Sequence, residues 1–334
     1  MTAPQGGGLA ADSYARRRVS PAASIARPKR RSGSKLMRRY GHLWFVLPGL
    51  LVFLAFIVYP TLSAFWLSLF DWKGVGKNFN FIGLDNFVRA LTSPDFYRAA
   101  RNNLEFFVVI LIFQHTVGLF IAVQLNARPR FMEVYRTILF LPVILSLIAT
   151  GFDWTLILSP NIGLLNPLLR DIGLGFLARP WLSDTTFALP AVILVQAWNV
   201  LGWSVVIYLA GLQNIPEELR QAAEIDGATP WQTFRRVVFP LLSPSFTSLT
   251  VLTFIQIFRV FDVVYVLTGP VGAPAGRTDV LGTLVYRTAF GVGGLSANDA
   301  RMSYAIAISV LIFVMMAVCS VLLIFFLRRR EIEA

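Results

Sequence analysis

The chain has 334 residues, of which 56% are hydrophobic and 14% charged, whereas roughly 25% of the residues of a soluble domain are charged. With a mean hydropathy of +0.64, this composition excludes an ordinary soluble domain and predicts a polytopic membrane protein. The formal net charge of +12 is compatible with nucleic-acid binding, but ten of the thirty Lys and Arg residues precede residue 40. Basic residues beside a first membrane span are typical of a topology signal that also contacts anionic lipid, so nucleic acid is not expected as a partner.

From the N-terminus, the sequence predicts a disordered tail, a membrane domain and a second short tail. Residues 1–42 are rich in Pro, Ser, Gly and Ala and show no apolar periodicity, which is typical of disorder. The domain over 43–327 contains six segments that are long and apolar enough to span a bilayer, and residues 328–334 follow it. The six segments are 43–70, 103–125, 134–158, 187–212, 237–267 and 303–327. The predicted fold class is therefore all-α, with six transmembrane helices.

The distribution of basic residues predicts the orientation of these spans. Nineteen of the thirty Lys and Arg residues fall in the two tails, in the stretch 127–136 between spans two and three, and in the loop that follows span four. Positive charge concentrates on the cytoplasmic side of membrane proteins, so both termini are expected in the cytoplasm. The loops at 71–102, 159–186 and 268–302 are then expected to face outward.

The loop between spans four and five, residues 213–236, is polar and predicts two short helices. Pro216 followed by acidic residues is typical of a helix start, because carboxylates favour the positive end of the helix dipole. Gly227 is expected to end this helix, since a residue without a Cβ adopts the left-handed cap conformation most easily. Thr229 and Pro230 predict the cap and first turn of a second helix. The loop is therefore expected to be a helix-turn-helix in the cytoplasm.

One face of the first of these helices is suited to contact with another protein. Leu219, Ala222 and Ala223 share that face at helical spacing, and the two alanines allow a close approach. The carboxylates around it are Glu217, Glu218, Glu224 and Asp226. The alternative is a helix lying on lipid headgroups, which normally carries Lys and Arg on its polar face, but this helix has four acids and one Arg. Docking into a groove of a cytoplasmic protein is favoured.

Polar side chains inside the apolar segments predict a path for a polar substrate, because each is costly to place in a bilayer. The predicted path residues are Asp153 in span three, Gln196, Asn199 and Trp203 in span four, and Gln256, Arg259, Asp262 and Tyr265 in span five. Phe258, Asp262 and Tyr265 are spaced as one helical face. Amides, carboxylates and rings together suit a sugar. The structural alternative is that Arg259 and Asp262 pair with each other and that the amides bond across helices.

The sequence offers no pattern for catalysis or for a metal site. Cys319 is the single cysteine, so no intrachain disulfide or thiolate cluster is expected, and two histidines, His42 and His115, are too few for a histidine-based site. The stretch "DWKGVGKN" fails as a phosphate-binding loop, because Asp71 and Asn78 occupy positions that require Gly and Ser or Thr. We expect a protein that is not an enzyme and that holds no metal or cofactor of its own.

The stretch "QAAEIDGATPWQTFRRVVFPLL" resembles the EAA loop of permease subunits in binding-protein-dependent ABC importers, specifically the carbohydrate branch. The positions that match the family pattern are Ala222, Ala223, Gly227, Val237 and Pro240. Gln221 departs from it, because the family usually has Glu at that position. Further stretches that resemble the family are "FIGLDNF", "NIGLLNPLL", "WLSD", "LAGLQNIPEEL" and "FDVVYVLTGP", so that the resemblance covers residues 43–327.

This resemblance implies a type I ABC importer permease fold in the plasma (inner) membrane of a prokaryote. It implies that the first cytoplasmic helix couples to an ATPase through Glu217, Glu218, Leu219, Gln221, Ala222, Ala223, Glu224, Asp226 and Gly227. The implied partners are a second permease subunit, two copies of a cytoplasmic ABC ATPase that binds ATP and Mg, and an extracytoplasmic sugar-binding protein or lipoprotein. The resemblance favours a disaccharide, and the narrowest similarity is to trehalose-importing permeases.

Several alternatives stay open at the level of sequence. Glycerol-phosphate importers share the same motifs, although Arg259 is the single cation inside the predicted spans apart from Arg136 at the start of span three. An ion-driven secondary transporter acting alone would use titratable groups such as Asp153 or Asp262 in an ion path. A membrane scaffold would only recruit cytoplasmic proteins through residues 216–227. Pairing with an identical copy of the chain, in place of a different permease subunit, also stays open.

Overall fold

The computed structural model describes residues 46–76, 79–127, 129–292 and 301–329. It confirms the predicted all-α class, because the β-structure in these ranges is one short antiparallel pair, β1 (Phe70–Asp71) and β2 (Asn80–Phe81). The predicted disordered tail over 1–42 lies outside the described residues, as does the C-terminal tail beyond residue 329. The chain divides within the first helix, between Ile57 and Val58, and every later element belongs to the second unit, Val58–Ala334.

The described residues form helices that are numbered in chain order. They are α1 (Val46–Leu67), α2 (Asp85–Thr92), α3 (Pro94–Asn126), α4 (Pro129–Ile144), α5 (Leu147–Ile157), α6 (Leu165–Asp171), α7 (Ala188–Gln213), α8 (Glu217–Ile225), α9 (Pro230–Leu241), α10 (Ser243–Phe258), α11 (Asp262–Thr268), α12 (Leu281–Phe290) and α13 (Met302–Arg328). A 3-10 turn, Gly175–Leu177, follows α6. Short π-helical stretches lie within α1, α3 and α9, at Leu54–Val58, Gln114–Gly118 and Phe234–Val238.

Six apolar spans are present in the described residues, but two of them are bent. The helices α1, α3, α7 and α13 are each long and apolar enough to cross a bilayer. The third span is the pair α4–α5, bent by 96°, and the fifth contains the pair α9–α10, bent by 59°. Pro142 lies inside α4 and Pro244 in the first turn of α10, where a residue without an N–H cannot continue the preceding helix. Proline therefore marks both bends.

The fourth span, α7, forms the centre of the helical packing. It contacts α3, α4, α10 and α11, and most of its residues are buried. Its Val192 packs with Phe106 of α3, Ile257 of α10 and Val264 of α11 in one apolar cluster. The last helix, α13, packs on α2, α10 and α12. Polar residues on α7 are thus held on a rigid, central element.

The contact between α7 and α4 predicts a strong effect at Gly202. A Cβ at this position would lie 2.1 Å from the carbonyl oxygen of Leu139 and 2.9 Å from the Cα of Phe140, so the two backbones touch. We expect Gly202→Ala to destabilise the protein by about 1–3 kcal/mol, because backbone cannot move aside as a side chain can. The apparent Tm in detergent measures this. Gly49→Ala, where the Cβ meets nothing within 4 Å, is the control, and equal Tm values would contradict the prediction.

Candidate functional site

A cavity of about 550 Å³ lies between α7, α10, the bend of the third span and residues 259–263 of the fifth span. Small-molecule sites typically measure about 300–1,000 Å³, so the cavity has the size of one. Six of the eight predicted path residues line it: Gln196, Asn199, Trp203, Gln256, Arg259 and Asp262. Apolar side chains complete the lining, among them Val143 and Leu147 beside the α4–α5 bend. The cavity therefore combines apolar walls with amides, a ring and two charges.

The charged part of this cavity depends on an interruption of the fifth span. The helix α10 ends at Phe258, residues 259–261 leave the helical conformation, and α11 begins at Asp262. The prediction that Phe258, Asp262 and Tyr265 form one helical face is therefore wrong, because no continuous helix joins them. Phe258 is instead buried, with its ring 4.5 Å from that of Phe254. The interruption brings Arg259 and Asp262 to the cavity from two different helix ends.

Two of the predicted path residues lie outside the lining of the cavity. Asp153 is exposed on α5. Tyr265 packs against the rings of Phe261 and Tyr286, with ring centroids 5.2 Å apart in both cases. The predicted contacts of Asp153 and Tyr265 with a substrate gain no support from this geometry.

The two charged groups of the cavity do not neutralise each other directly. Among the described residues, no ion pair joins the guanidinium of Arg259 to the carboxylate of Asp262. The structural alternative, in which these two residues pair with each other, is thus not observed. Both charges remain available to a polar ligand in the cavity.

Gln196 and Asn199 lie one helical turn apart on α7 and differ in their hydrogen bonding. Gln196 is 2% exposed, and its Oε1 has no hydrogen-bond partner in the described part of the chain. A buried acceptor without a partner costs about 1–3 kcal/mol, which a hydroxyl group of a ligand would recover. Asn199 donates from Nδ2 to the carbonyl oxygen of Pro142 over 2.8 Å, where the α4–α5 bend leaves that carbonyl unpaired. Asn199 therefore holds the bend as well as lining the cavity.

A second polar group within the spans was not anticipated from the sequence. His115 Nε2 lies 3.0 Å from Thr250 Oγ1, and its Nδ1 contacts the hydroxyl of Tyr208, so that one side chain joins α3, α7 and α10. Thr253 donates to Gln114 Oε1 over 2.6 Å beside it. These residues carry the same signal as the path residues, a polar side chain in an apolar segment, but they connect helices.

Asparagine side chains tie the outer loops to the spans. Asn103 of α3 donates to the carbonyl oxygen of Ile257 over 2.8 Å and accepts from the backbone N–H of Leu281 over 2.8 Å. It thus links the end of α10 to the start of α12. The nearby Asp279 is fully buried and lies 2.7 Å from Arg287. Burial raises the pKa of the Asp279 carboxyl, and Arg287 opposes this rise.

The predicted helix-turn-helix is present as α8 and α9. The prediction for Gly227 is confirmed: its φ is +78°, and it donates to the carbonyl oxygen of Glu224 over 3.0 Å while Ala228 donates to Ala223 over 2.9 Å. This is the hydrogen-bond pattern of a Schellman motif. Thr229 caps α9 in a capping box with Gln232, as its position before Pro230 predicted. Pro216 differs slightly from the expectation, since it is the cap residue before α8 and not the first helical residue.

The surface of α8 is free in this chain. None of its residues is buried, and the side chains of Leu219 and Ile225 are 41% and 86% exposed. A groove of about 310 Å³ separates α8 from the ends of α3 and α7, lined among others by Arg220, Glu224 and Phe234. The 26 residues of α7 span about 39 Å, more than the roughly 30 Å core of a bilayer. Hence α8 and the loop before α7 lie on opposite membrane faces.

Six apolar spans around a central polar cavity, with a free polar helix at one face, define a transmembrane transport subunit. Within the residues that the structure describes, no three His, Cys, Asp or Glu side chains converge as they would around a metal ion. The chain belongs to the family of binding-protein-dependent transport system inner membrane components, whose family model matches residues 114–331. It is the permease subunit of an ABC importer and not an enzyme.

Comparison with known proteins supports this assignment. The chain is 35% identical over 272 residues to the probable ABC transporter permease protein YurN of Bacillus subtilis (strain 168), covering 81% of this chain and 90% of the relative. It is 33% identical over 255 residues to the trehalose/maltose transport system permease protein MalF of Thermococcus litoralis, covering 76% and 85%. Other relatives are named for lactose, xylose/arabinose and starch degradation products. A crystal structure of a bacterial ABC transporter that imports the acidic polysaccharide alginate matches with a TM-score of 0.74 at 26% identity, covering 88% of this chain and 98% of that one.

Proposed function

We propose that this chain is a permease subunit of an ATP-driven sugar importer and that the 550 Å³ cavity is its half of the translocation path. One observation carries the proposal: six path residues predicted from two separate sequence stretches converge on a single cavity of ligand size. The permease relatives named for sugars support the substrate class.

The chemistry of the cavity suits a neutral sugar. The ring of Trp203 is 42% exposed and offers a face for the apolar side of a sugar ring. Gln196 Oε1 can accept from a hydroxyl, and Arg259 and Asp262 can donate and accept. Since Arg259 is the one cation in the lining and Asp262 balances it, a phosphorylated substrate such as glycerol phosphate fits less well. We take a disaccharide as the substrate class and trehalose as the first compound to test.

The partners follow from the two faces of the protein. We propose that α8 docks into a groove of a cytoplasmic ABC ATPase, present in two copies, and that ATP and Mg bind there and not to this chain. The exposed Leu219 and Ile225 with the surrounding carboxylates support such a docking face. A second, different permease subunit completes the path, and a sugar-binding protein or lipoprotein delivers the sugar from outside. The membrane is then the inner membrane of a prokaryote, with both termini in the cytoplasm.

The fifth span provides a route from ATP to the sugar. Closure of the ATPase dimer moves α8, and the Schellman turn at Gly227 passes the motion to α9. The bend at Leu242 and the break at 259–261 let α9, α10 and α11 move as separate pieces. Arg259 and Asp262 border that break, so its motion changes the polar lining and opens the cavity toward the other face.

Reconstitution tests this function. We expect liposomes that contain the chain, its partner permease and the ATPase to take up radiolabelled trehalose or maltose only when ATP and the binding protein are both present. Omission of any one component abolishes uptake, because the chain contains neither the motor nor the sugar receptor. Uptake by the purified chain alone, driven by an ion gradient, would establish a secondary transporter instead. Normal uptake by variants of the cavity would establish the scaffold alternative.

A further inference from the structure

A small charged pocket lies at the membrane face opposite α8. Its walls come from the first turns of α3, the residues that precede and begin α7, and the loop before α12, and it is named the outer socket here. The residues that define it are Arg98, Arg101, Asn102, Glu105 and Arg277. Its volume is about 100 Å³, far below the roughly 300–1,000 Å³ of a small-molecule site. The outer socket can hold the charged end of a side chain but not a sugar.

The outer socket carries an excess of positive charge. Three guanidinium groups line it, from Arg98, Arg101 and Arg277, against the single carboxylate of Glu105. Arg98 pairs with Asp95, a residue that also lies 3.2 Å from Arg287. The side chain of Arg101 forms no ion pair or hydrogen bond with another described residue. The positive charge of the socket is therefore not fully paired by the residues that the structure describes.

One arginine of the outer socket, Arg277, is exposed, and both its backbone and its side chain form hydrogen bonds. Asn102 is 7% exposed and donates from Nδ2 to the carbonyl oxygens of Arg277, over 3.1 Å, and of Asp279, over 2.6 Å. Arg277 Nε donates to the carbonyl oxygen of Thr185 over 3.2 Å. These bonds leave the two terminal nitrogens of its guanidinium free. A positioned guanidinium is suited to two parallel hydrogen bonds with a carboxylate, and less ordering entropy is then lost on binding.

We propose that the outer socket receives an Asp or Glu side chain of the extracytoplasmic binding protein. This inference rests on the proposed function, which places that protein at this face. The volume of the socket admits only the end group of a side chain, and its excess of positive charge favours an anion. The planar guanidinium of Arg277, which is positioned by its bond to Thr185, matches a planar carboxylate. The socket is also connected to the cavity, because the adjacent residue, Asn103, bonds the end of α10 and the start of α12. Docking there thus fixes the outer end of the span that carries Arg259.

The test uses the complete importer, with partner permease and ATPase, in nanodiscs of neutral lipid. The probe is the purified sugar-binding protein that supports uptake by this importer, and its Kd is measured by biolayer interferometry. We expect Arg101→Gln to raise the Kd several-fold and the double variant with Arg277→Gln to raise it about tenfold, because each substitution removes one of the exposed positive charges that attract the carboxylate. The salt dependence of the Kd weakens in parallel, while uptake at saturating binding protein stays near the unmodified level.

Arg170→Gln is the matched control, since Arg170 is an exposed arginine of α6 on the same face and outside the outer socket. Arg101→Gln is informative even if the double variant fails to assemble, because Arg101 has no partner in the described chain. A Kd equal to that of Arg170→Gln overturns the inference. A change in Kd of the socket variants that appears only when phosphatidylglycerol is added also overturns it, because the socket would then bind lipid. If the unmodified complex does not transport sugar, the proposed function fails. If it transports sugar but the socket variants bind the sugar-binding protein with an unchanged Kd, the docking inference alone fails.

Discussion

We expect Gly227→Val to lower sugar uptake at least about thirtyfold while the chain still inserts into the membrane. Gly227 has a φ of +78°, and a Cβ there would meet nothing within 4 Å, so a clash plays no part. The effect comes from backbone strain. A residue held in such a conformation against its preference costs about 1–3 kcal/mol, and 2 kcal/mol changes an equilibrium constant by a factor of about thirty. The chain relieves this strain by opening the turn between α8 and α9. The docking helix then loses its fixed angle to the fifth span.

The measurement compares uptake with copurification of the ATPase. Gly173→Val is the matched control, because Gly173 has a φ of +81° and equally free space but lies in the loop after α6, on the other membrane face. Gly227→Asn is expected to keep most of the activity, since Asn tolerates the left-handed conformation better than Val. If Gly227→Val transports as well as Gly173→Val, the turn has no role in coupling.

Local sequence signals predicted the helix-turn-helix of α8 and α9 well, because the helix ends are fixed by neighbouring residues. The cap of α9 involves Thr229 and Gln232, three positions apart, and the end of α8 needs only Gly227. Composition was equally sufficient for the apolar spans, since each must satisfy its own backbone hydrogen bonds in lipid. Short-range chemistry and the bilayer therefore account for most of the fold that the sequence predicted.

The interruption of the fifth span could not be predicted in this way. Apolar length favours one continuous helix over 237–267, and no Pro or Gly lies at 259–261. The helix ends at Phe258, and Asn103, 154 positions away in sequence, donates to the carbonyl of Ile257 that this end exposes. A helix end that is stabilised by a distant side chain leaves no local signal. The charged part of the cavity was consequently misread as one helical face.

Polar residues in spans were also ambiguous, because substrate contact and helix–helix contact need the same residue types. Gln196 and Gln114 both interrupt apolar segments and are both buried. The acceptor of Gln114 bonds Thr253 on a neighbouring helix, whereas that of Gln196 has no partner among the described residues and borders the cavity. Only tertiary structure separates the two roles.

Because the acceptor of Gln196 has no partner among the described residues, substitution of Gln196 is expected to affect transport strongly. We expect Gln196→Leu to lower sugar uptake at least about thirtyfold, because the sugar loses a hydrogen bond and its hydroxyl is left unpaired at a cost of about 2 kcal/mol. The apparent Tm should not fall, since the variant removes a buried oxygen that has no partner in the described chain. ATPase activity stimulated by the binding protein should persist, because the docking helix and the outer loops are unchanged. Radiolabelled uptake, Tm and ATP hydrolysis on one preparation measure all three.

Gln114→Leu is the control for this prediction, because it removes a bonded acceptor. It leaves the hydroxyl of Thr253 without its acceptor between α3 and α10, so its Tm should fall and its uptake should decline only in proportion to the folded protein that remains. Two substitutions of the same chemistry, both in buried positions, should thus separate transport from stability. If Gln196→Leu instead loses stability as Gln114→Leu does, or transports normally, then Gln196 connects helices and the sugar passes elsewhere.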